Sequence, residues 1–160
     1  MKTGPKVLLL LIAAAVLSTG VLSVLAAPET GVRGELRRAL GVDVGSAPVL
    51  RDEDSHGGFH GDGERKIAVD CSGIRDEVLA QTASWSSLPL PGVLAQAAEL
   101  SGSGLIPDGL TQGRYLFLDR HSEAADPRDP GPLFHRASFN FTLSVYDAAS
   151  DILYYYELDT

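Results

Sequence analysis

The chain has 160 residues, one domain's worth, with 44% hydrophobic and 21% charged residues, a balance that excludes wholesale disorder. All 21 acidic residues lie after residue 26, where they meet 11 of the 13 bases, so this part carries a net charge of −10. Such a surface excludes nucleic-acid binding by phosphate neutralisation.

The N-terminus has a different composition. Met1–Lys6 is a short basic head, and residues 7–26 are an uncharged, mostly apolar run. A helix of that length spans roughly 30 Å, the thickness of a bilayer core. A single-pass transmembrane anchor is the favoured reading. A cleaved signal peptide is the alternative, because Ser18-Thr19-Gly20 shortens the strongest apolar part and Val24-Leu25-Ala26 offers a small-residue cleavage site. The basic head favours a cytoplasmic N-terminus, against the opposing bases Arg33, Arg37 and Arg38. The expected location is therefore the membrane, single-pass, with the C-terminal domain extracytoplasmic, or else secreted. Cys71 is the single cysteine, so no intramolecular disulfide is available. It reads as a small buried residue at a strand end; an intermolecular disulfide would need an accessible thiol.

Residues 27–46 read as a juxtamembrane connector with a short helix over Val32–Leu40, and residues 47–160 as a single domain. Ala47–Asp54 is extended. Ser55–Gly63 has four glycines in nine residues and is a shaped loop. Lys66–Cys71 alternates as a strand, with Ile67, Val69 and Cys71 on one face. Ser72 is a candidate N-cap for a helix over Gly73–Ala83. Trp85 and the break Leu88-Pro89-Leu90-Pro91 follow, then a second helix from Pro91 to Leu100. Ser101–Gly113 is a loop and Arg114–Arg120 a strand. His121–Pro132 is an acidic, proline-containing loop. Phe139, Phe141, Leu143 and Val145 alternate with polar residues, and Asp147–Asp151 turns the chain into Ile152–Leu158. Ile152, Tyr154, Tyr156 and Leu158 share one face of this last strand. The order predicts an α+β domain: a mostly antiparallel sheet of about five strands with two helices on one face. Trp85, Phe139, Phe141 and Leu143 are the predicted core.

One constellation carries candidate chemistry. Asp52–Glu64 supplies Asp52, Glu53, Asp54, His56, His60, Asp62 and Glu64. Imidazole and carboxylate together suit a divalent cation, and His56, His60 and Asp62 are the candidate metal ligands. The plain alternative is a structural turn. Consecutive glycines within His56-Gly-Gly-Phe-His60 make a helical metal pair costly, by about 1 kcal/mol per glycine. The loop leads into a strand among carboxylates, so a phosphate cradle is excluded. No G-x-S-x-G elbow supports a hydrolase triad, and no catalytic residue is assigned. Asp119-Arg120-His121 reads as a salt-linked strand end or as a polar contact with the Gly-rich loop. That loop is expected as an ordered turn on the sheet rim, anchored by Phe59, with His56 or His60 reaching a strand-end carboxylate such as Asp119.

Three segments carry a resemblance: Asp54–Glu64 (DSHGGFHGDGE), Gly113–Arg120 (GRYLFLDR) and Ser138–Thr160, with its FNFTL and LYYYELDT motifs. Together they resemble a family of short uncharacterised membrane-anchored or exported proteins of clostridia-type Gram-positive bacteria. The resemblance covers about two-thirds of the chain. It implies a cell-envelope location and one small domain, and it brings no activity. The expected function is thus a non-enzymatic, membrane-tethered binding or interaction domain. Its partners would be the membrane, through residues 7–26, and an envelope protein or small ligand, with no cofactor. The alternative is a metal-binding or metal-dependent hydrolytic protein built on the Asp54–Glu64 loop.

Overall fold

The computed structural model describes residues 30–57, 61–102 and 104–160. The apolar run at 7–26, Phe59 and the candidate ligand His60 lie outside the described residues. Among the described residues, no helix is long and apolar enough to cross a membrane. The elements in chain order are α1 (Gly31–Leu40), β1 (Val49–Asp54), β2 (Gly63–Asp70), α2 (Arg75–Gln81), β3 (Ser86–Ser87), α3 (Gly92–Glu99), β4 (Gly113–Asp119), β5 (Asn140–Asp147) and β6 (Ile152–Asp159). The protein is α+β. Its six strands form one sheet in the order β1-β2-β6-β5-β4-β3, every neighbouring pair antiparallel. The strand beyond the expected five is the two-residue β3, too short to leave a periodic signal.

The C-terminal hairpin has the predicted faces. Phe141, Leu143 and Val145 of β5 share a cluster with Tyr154, Tyr156 and Leu158 of β6, packed on Leu94, Ala97 and Ala98 of α3. The opposite face of the same strands joins a second cluster. There Tyr146, Leu153 and Tyr155 meet Ile67, Val69 and Cys71 of β2, Val32 and Leu36 of α1, and Val78 of α2. Phe141 and Leu143 are fully buried and Trp85 nearly so, whereas Phe139 is only partly buried at the edge of its cluster.

The placement of both helices on one face is corrected by this arrangement. α2 covers one face of the sheet and α3 the other. The cause is local. Period two along Trp85-Ser86-Ser87-Leu88 sends Trp85 into the α2 cluster and Leu88 into the α3 cluster. The Ser86-Ser87 strand therefore carries the chain around the β4 edge, from one layer to the other.

The N-terminal part of the described chain is built into the core. Leu36, Val42 and Val44 are fully shielded from solvent and Ala47 nearly so. Burying side chains of this size is worth roughly 1.5–3 kcal/mol each. Residues 31–47 thus form part of the packed body, where a spacer was expected. α1 ends at Gly41, whose positive φ of 70° lets its N–H reach Arg37 O at 3.0 Å. At α2, Ser72 makes no side-chain cap. Asp70 Oδ1 instead accepts the Ser72 N–H at 2.9 Å, and a short 3₁₀ turn over Ser72–Ile74 leads into the helix.

Cys71 lies fully buried beneath α1 and α2. Burial, with the charges of Asp70 and Asp151 adding to it, pushes its thiol up to about 11. The thiolate is the reactive form, so this cysteine is protected twice. Native protein should not react with a thiol-specific disulfide reagent at neutral pH, whereas the urea-unfolded chain should react fully. Rapid reaction of the native protein would contradict the burial of α1 against the sheet.

Candidate functional site

The register of β2 against β6 builds the site. Gly63 pairs with Asp159 and Arg65 with Glu157, so the start of β2 lies beside the end of β6. Period two then places Glu157 and Asp159 on the α1 side of the sheet, in line with Leu153 and Tyr155. Arg120, just past the end of β4, is tied to β5 by its N–H to Asn140 O at 2.7 Å. Its Nη2 lies 2.8 Å from Asp159 Oδ1 and 3.2 Å from Glu157 Oε1. The Tyr155 hydroxyl donates to the other oxygen of Glu157.

The Gly-rich loop closes over this rim. Ser55 N–H donates to Glu64 O at 2.9 Å, and Glu64 N–H donates to Ser55 Oγ at 2.8 Å. A Cβ at Gly63 would stand 2.6 Å from the backbone N and Cα of His56, so only glycine permits this closure. His56 is thereby fixed over the sheet end. Its backbone N–H and its Nδ1 both contact Asp54 Oδ1, at 2.9 and 2.8 Å. The backbone bond from His56, then the ring contact, holds the Asp54 carboxyl below the usual range. On the far side of the ring, Nε2 lies 3.3 Å from Asp159 Oδ2. Nε2 is shut off from solvent and has no hydrogen-bond donor or acceptor among the described residues. One ligand atom each from His56, Glu157 and Asp159 lie within 4.8 Å of one another.

Of the predicted ligands, His56 is in this cluster. Asp62 is exposed and outside it. The strand-end carboxylate that His56 meets is Asp159 of β6; the expected Asp119 lies on the other face, paired with Arg136. Asp119-Arg120-His121 is the salt-linked strand end of the first reading: Asp119 pairs with Arg136, and Arg120 with Asp159 and Glu157, and the link from Arg120 to His56 of the loop runs only through Asp159. Sequence reading missed Glu157 and Asp159 as site residues. The available signal was their same-face spacing at the end of the tyrosine strand.

A second polar group lies at the same end on the α3 face. Asp119 is almost fully buried, pairs with Arg136 and accepts the His121 N–H at 3.0 Å. His121 Nε2 lies 3.3 Å from Ser138 Oγ, which brings a serine, a histidine and an aspartate together. The proton bookkeeping excludes a nucleophile–base pair in this arrangement. His121 Nδ1 accepts the Glu123 N–H at 3.2 Å, so in the neutral ring Nε2 carries the hydrogen and donates to Ser138.

Comparison of the chain with protein-family models, with curated proteins and with solved structures finds no match.

Two outcomes check this geometry. Gly63→Ala should lower stability by about 1–3 kcal/mol in urea denaturation, because backbone must move to admit the methyl group. Gly57→Ala, whose added Cβ meets nothing closer than 3.9 Å, should change it by less than about 0.5 kcal/mol. The second outcome concerns pH. Burial raises the Asp119 carboxyl, but the Arg136 hydrogen bond and the His121 N–H outweigh it, and the group stays below its usual value. The unfolded chain therefore takes up this proton first as the pH falls. The stabilisation is complete above the ordinary Asp value of about 4 and is lost as the pH drops through the lower folded value. Asp119→Asn should be less stable than wild type at neutral pH, and the gap should narrow between roughly pH 5 and pH 2. A pH-independent gap would show that Asp119 acts by shape alone.

Proposed function

We propose that the protein is a non-enzymatic binding domain, tethered to the membrane by residues 7–26 and facing the extracytoplasmic side, whose binding end is the rim formed by His56, Arg120, Glu157 and Asp159. The observation that supports it is the convergence of three distant segments on one end of the sheet. They are the Gly-rich loop, the end of β4 and the end of β6, the same segments that carry the resemblance to short envelope proteins. None of these side chains belongs to either apolar cluster. Ordering long charged side chains costs conformational entropy, and exposed pairs return only about 0–1 kcal/mol each. Stability alone is a weak reason for concentrating them there.

The tether reading draws on the short distance between α1 and the apolar run. Only residues 27–30 separate them. Fully extended, four residues reach about 14 Å, so an anchor would hold the packed body close to the lipid surface. The partner is another envelope protein or a small ligand.

A reporter that works only after export, fused after Thr160, should be active, and the full chain should sediment with membranes. An inactive reporter, together with activity of a cytoplasm-dependent one at the same position, would overturn the location. A second reading, a metal-binding rim, is favoured by the proximity of His56, Glu157 and Asp159.

A further inference from the structure

We infer that the rim is a cation site, with His56 Nε2, Asp159 Oδ2 and a carboxylate oxygen of Glu157 as ligands for a first-row divalent cation such as Zn²⁺. The inference deepens the proposed function, since it rests on reading this rim as the binding end and names its ligand.

The argument starts from the tautomer of His56. Asp54 Oδ1 lies 2.8 Å from Nδ1, and a carboxylate there accepts the Nδ1 hydrogen. In the neutral ring Nε2 then has a bare lone pair. That lone pair lies 3.3 Å from Asp159 Oδ2 and has no donor. Two such lone pairs repel, and a positive charge between them, a proton or a cation, relieves the repulsion.

Charge balance favours the cation. Asp54, Glu157 and Asp159 bring three carboxylates around His56, and Arg120 supplies one guanidinium to two of them. Two negative charges remain. An imidazolium offsets one; a divalent cation offsets both while leaving the ring neutral.

Ligand geometry agrees. Ligands of a tetrahedral Zn²⁺ at about 2.0–2.1 Å lie roughly 3.4 Å apart, close to the 3.3 Å between Nε2 and Oδ2. The remaining separations, all within 4.8 Å, close by about 1.4 Å at most.

The surrounding bonds are those a metal site uses. Asp54 fixes the ring as in carboxylate–histidine–metal pairs, Arg120 holds the other oxygen of Asp159, and Tyr155 holds one oxygen of Glu157. One imidazole and two carboxylates form a mixed nitrogen–oxygen set, suited to Zn²⁺, Mn²⁺ or Fe²⁺ more than to soft Cu⁺. Arg120 competes for the same carboxylates. Its side chain is 35% exposed, with room to withdraw.

Full-length protein in detergent micelles is titrated with Co²⁺, whose visible d–d absorption reports ordered coordination, and then with Zn²⁺. One Co²⁺ per chain should bind and be displaced by Zn²⁺. Asp159→Asn and His56→Ala should each weaken binding by at least about tenfold, and Asp54→Ala, which removes the acceptor of the His56 ring and backbone N–H, by about 10–100-fold. His121→Ala, on the other face, should bind as wild type does. Circular dichroism identifies any variant that fails to fold; Glu157→Gln then takes its place. No absorption change with excess Co²⁺ overturns the inference. Equal affinity in wild type and in folded Asp159→Asn and His56→Ala also overturns it. The reporter fusion reads separately from this titration. A cytoplasmic C-terminus would remove the extracytoplasmic location and leave the cation site standing, whereas absent metal would leave the topology untouched.

Discussion

The double pairing of β6 is the constraint on which the rest of the molecule depends. β6 bonds to β5 through a short hairpin and to β2 across about ninety residues of chain, with Gly63 opposite Asp159 and Asp70 opposite Ile152. Side chains alternate along a strand, so this register sets both faces at once. A slip of one residue would exchange Leu153 and Tyr155 with Tyr154 and Tyr156. It would also carry Glu157 and Asp159 away from the Gly-rich loop. The core and the charged rim are therefore consequences of one register.

Buried polarity is settled at the ends of the sheet. Tyr146, Tyr155 and Tyr156 are almost entirely buried, and each hydroxyl finds a carboxylate: Asp151 at 2.8 Å, Glu157, and Glu64 at 3.0 Å. Burial first, then the neighbouring carboxylate, raises each phenol far above its usual value, so all three stay protonated donors at physiological pH. A tyrosine fills the core with its ring and satisfies its oxygen at the margin. Tyr155 and Tyr156 thereby orient carboxylates at the Gly-rich end from inside the core. Arg65 ties this end to α1. It is 7% exposed, bonds Glu35 of α1 at 2.9 and 3.1 Å through Nε, and reaches Asp52 of β1 at 2.6 Å. The order of the rim thus follows from packing on both sides of β6.

The legible parts of the fold were those written in local periodicity. The hairpin over 139–158, the faces of Lys66–Cys71 and the two helices after Ser72 all follow from spacing within a few residues. The layer exchange did not, because it turns on two serines whose pairing with β4 is a tertiary event. α1 read as a connector because its short apolar stripe, Val32 and Leu36, sits among arginines, and only the sheet beneath reveals a packed helix. The site was half legible. His56 stood out by composition, but its carboxylate partners lie about a hundred residues further on, and β2–β6 register is invisible to a local pattern. Asp62 attracted attention by proximity in sequence and proved exposed, outside the group formed by His56, Glu157 and Asp159.

Asp119 and Arg120 show how the two faces of this sheet end differ. They are consecutive, and alternation sends them to opposite faces. On the α3 face Asp119 meets Arg136, one carboxylate to one guanidinium, and the balance closes with the His121 N–H completing the carboxylate. On the α1 face Arg120 meets Asp159 and Glu157, and beyond them stand His56 and Asp54. A structural clamp needs only the first arrangement. The second gathers more negative charge than its guanidinium offsets, and it directs a histidine nitrogen, already fixed by a carboxylate on its other side, into that excess. On the proposed reading a positive partner, a proton or a cation, offsets that excess, and the 3.3 Å between His56 Nε2 and Asp159 Oδ2 suits two ligands of one cation.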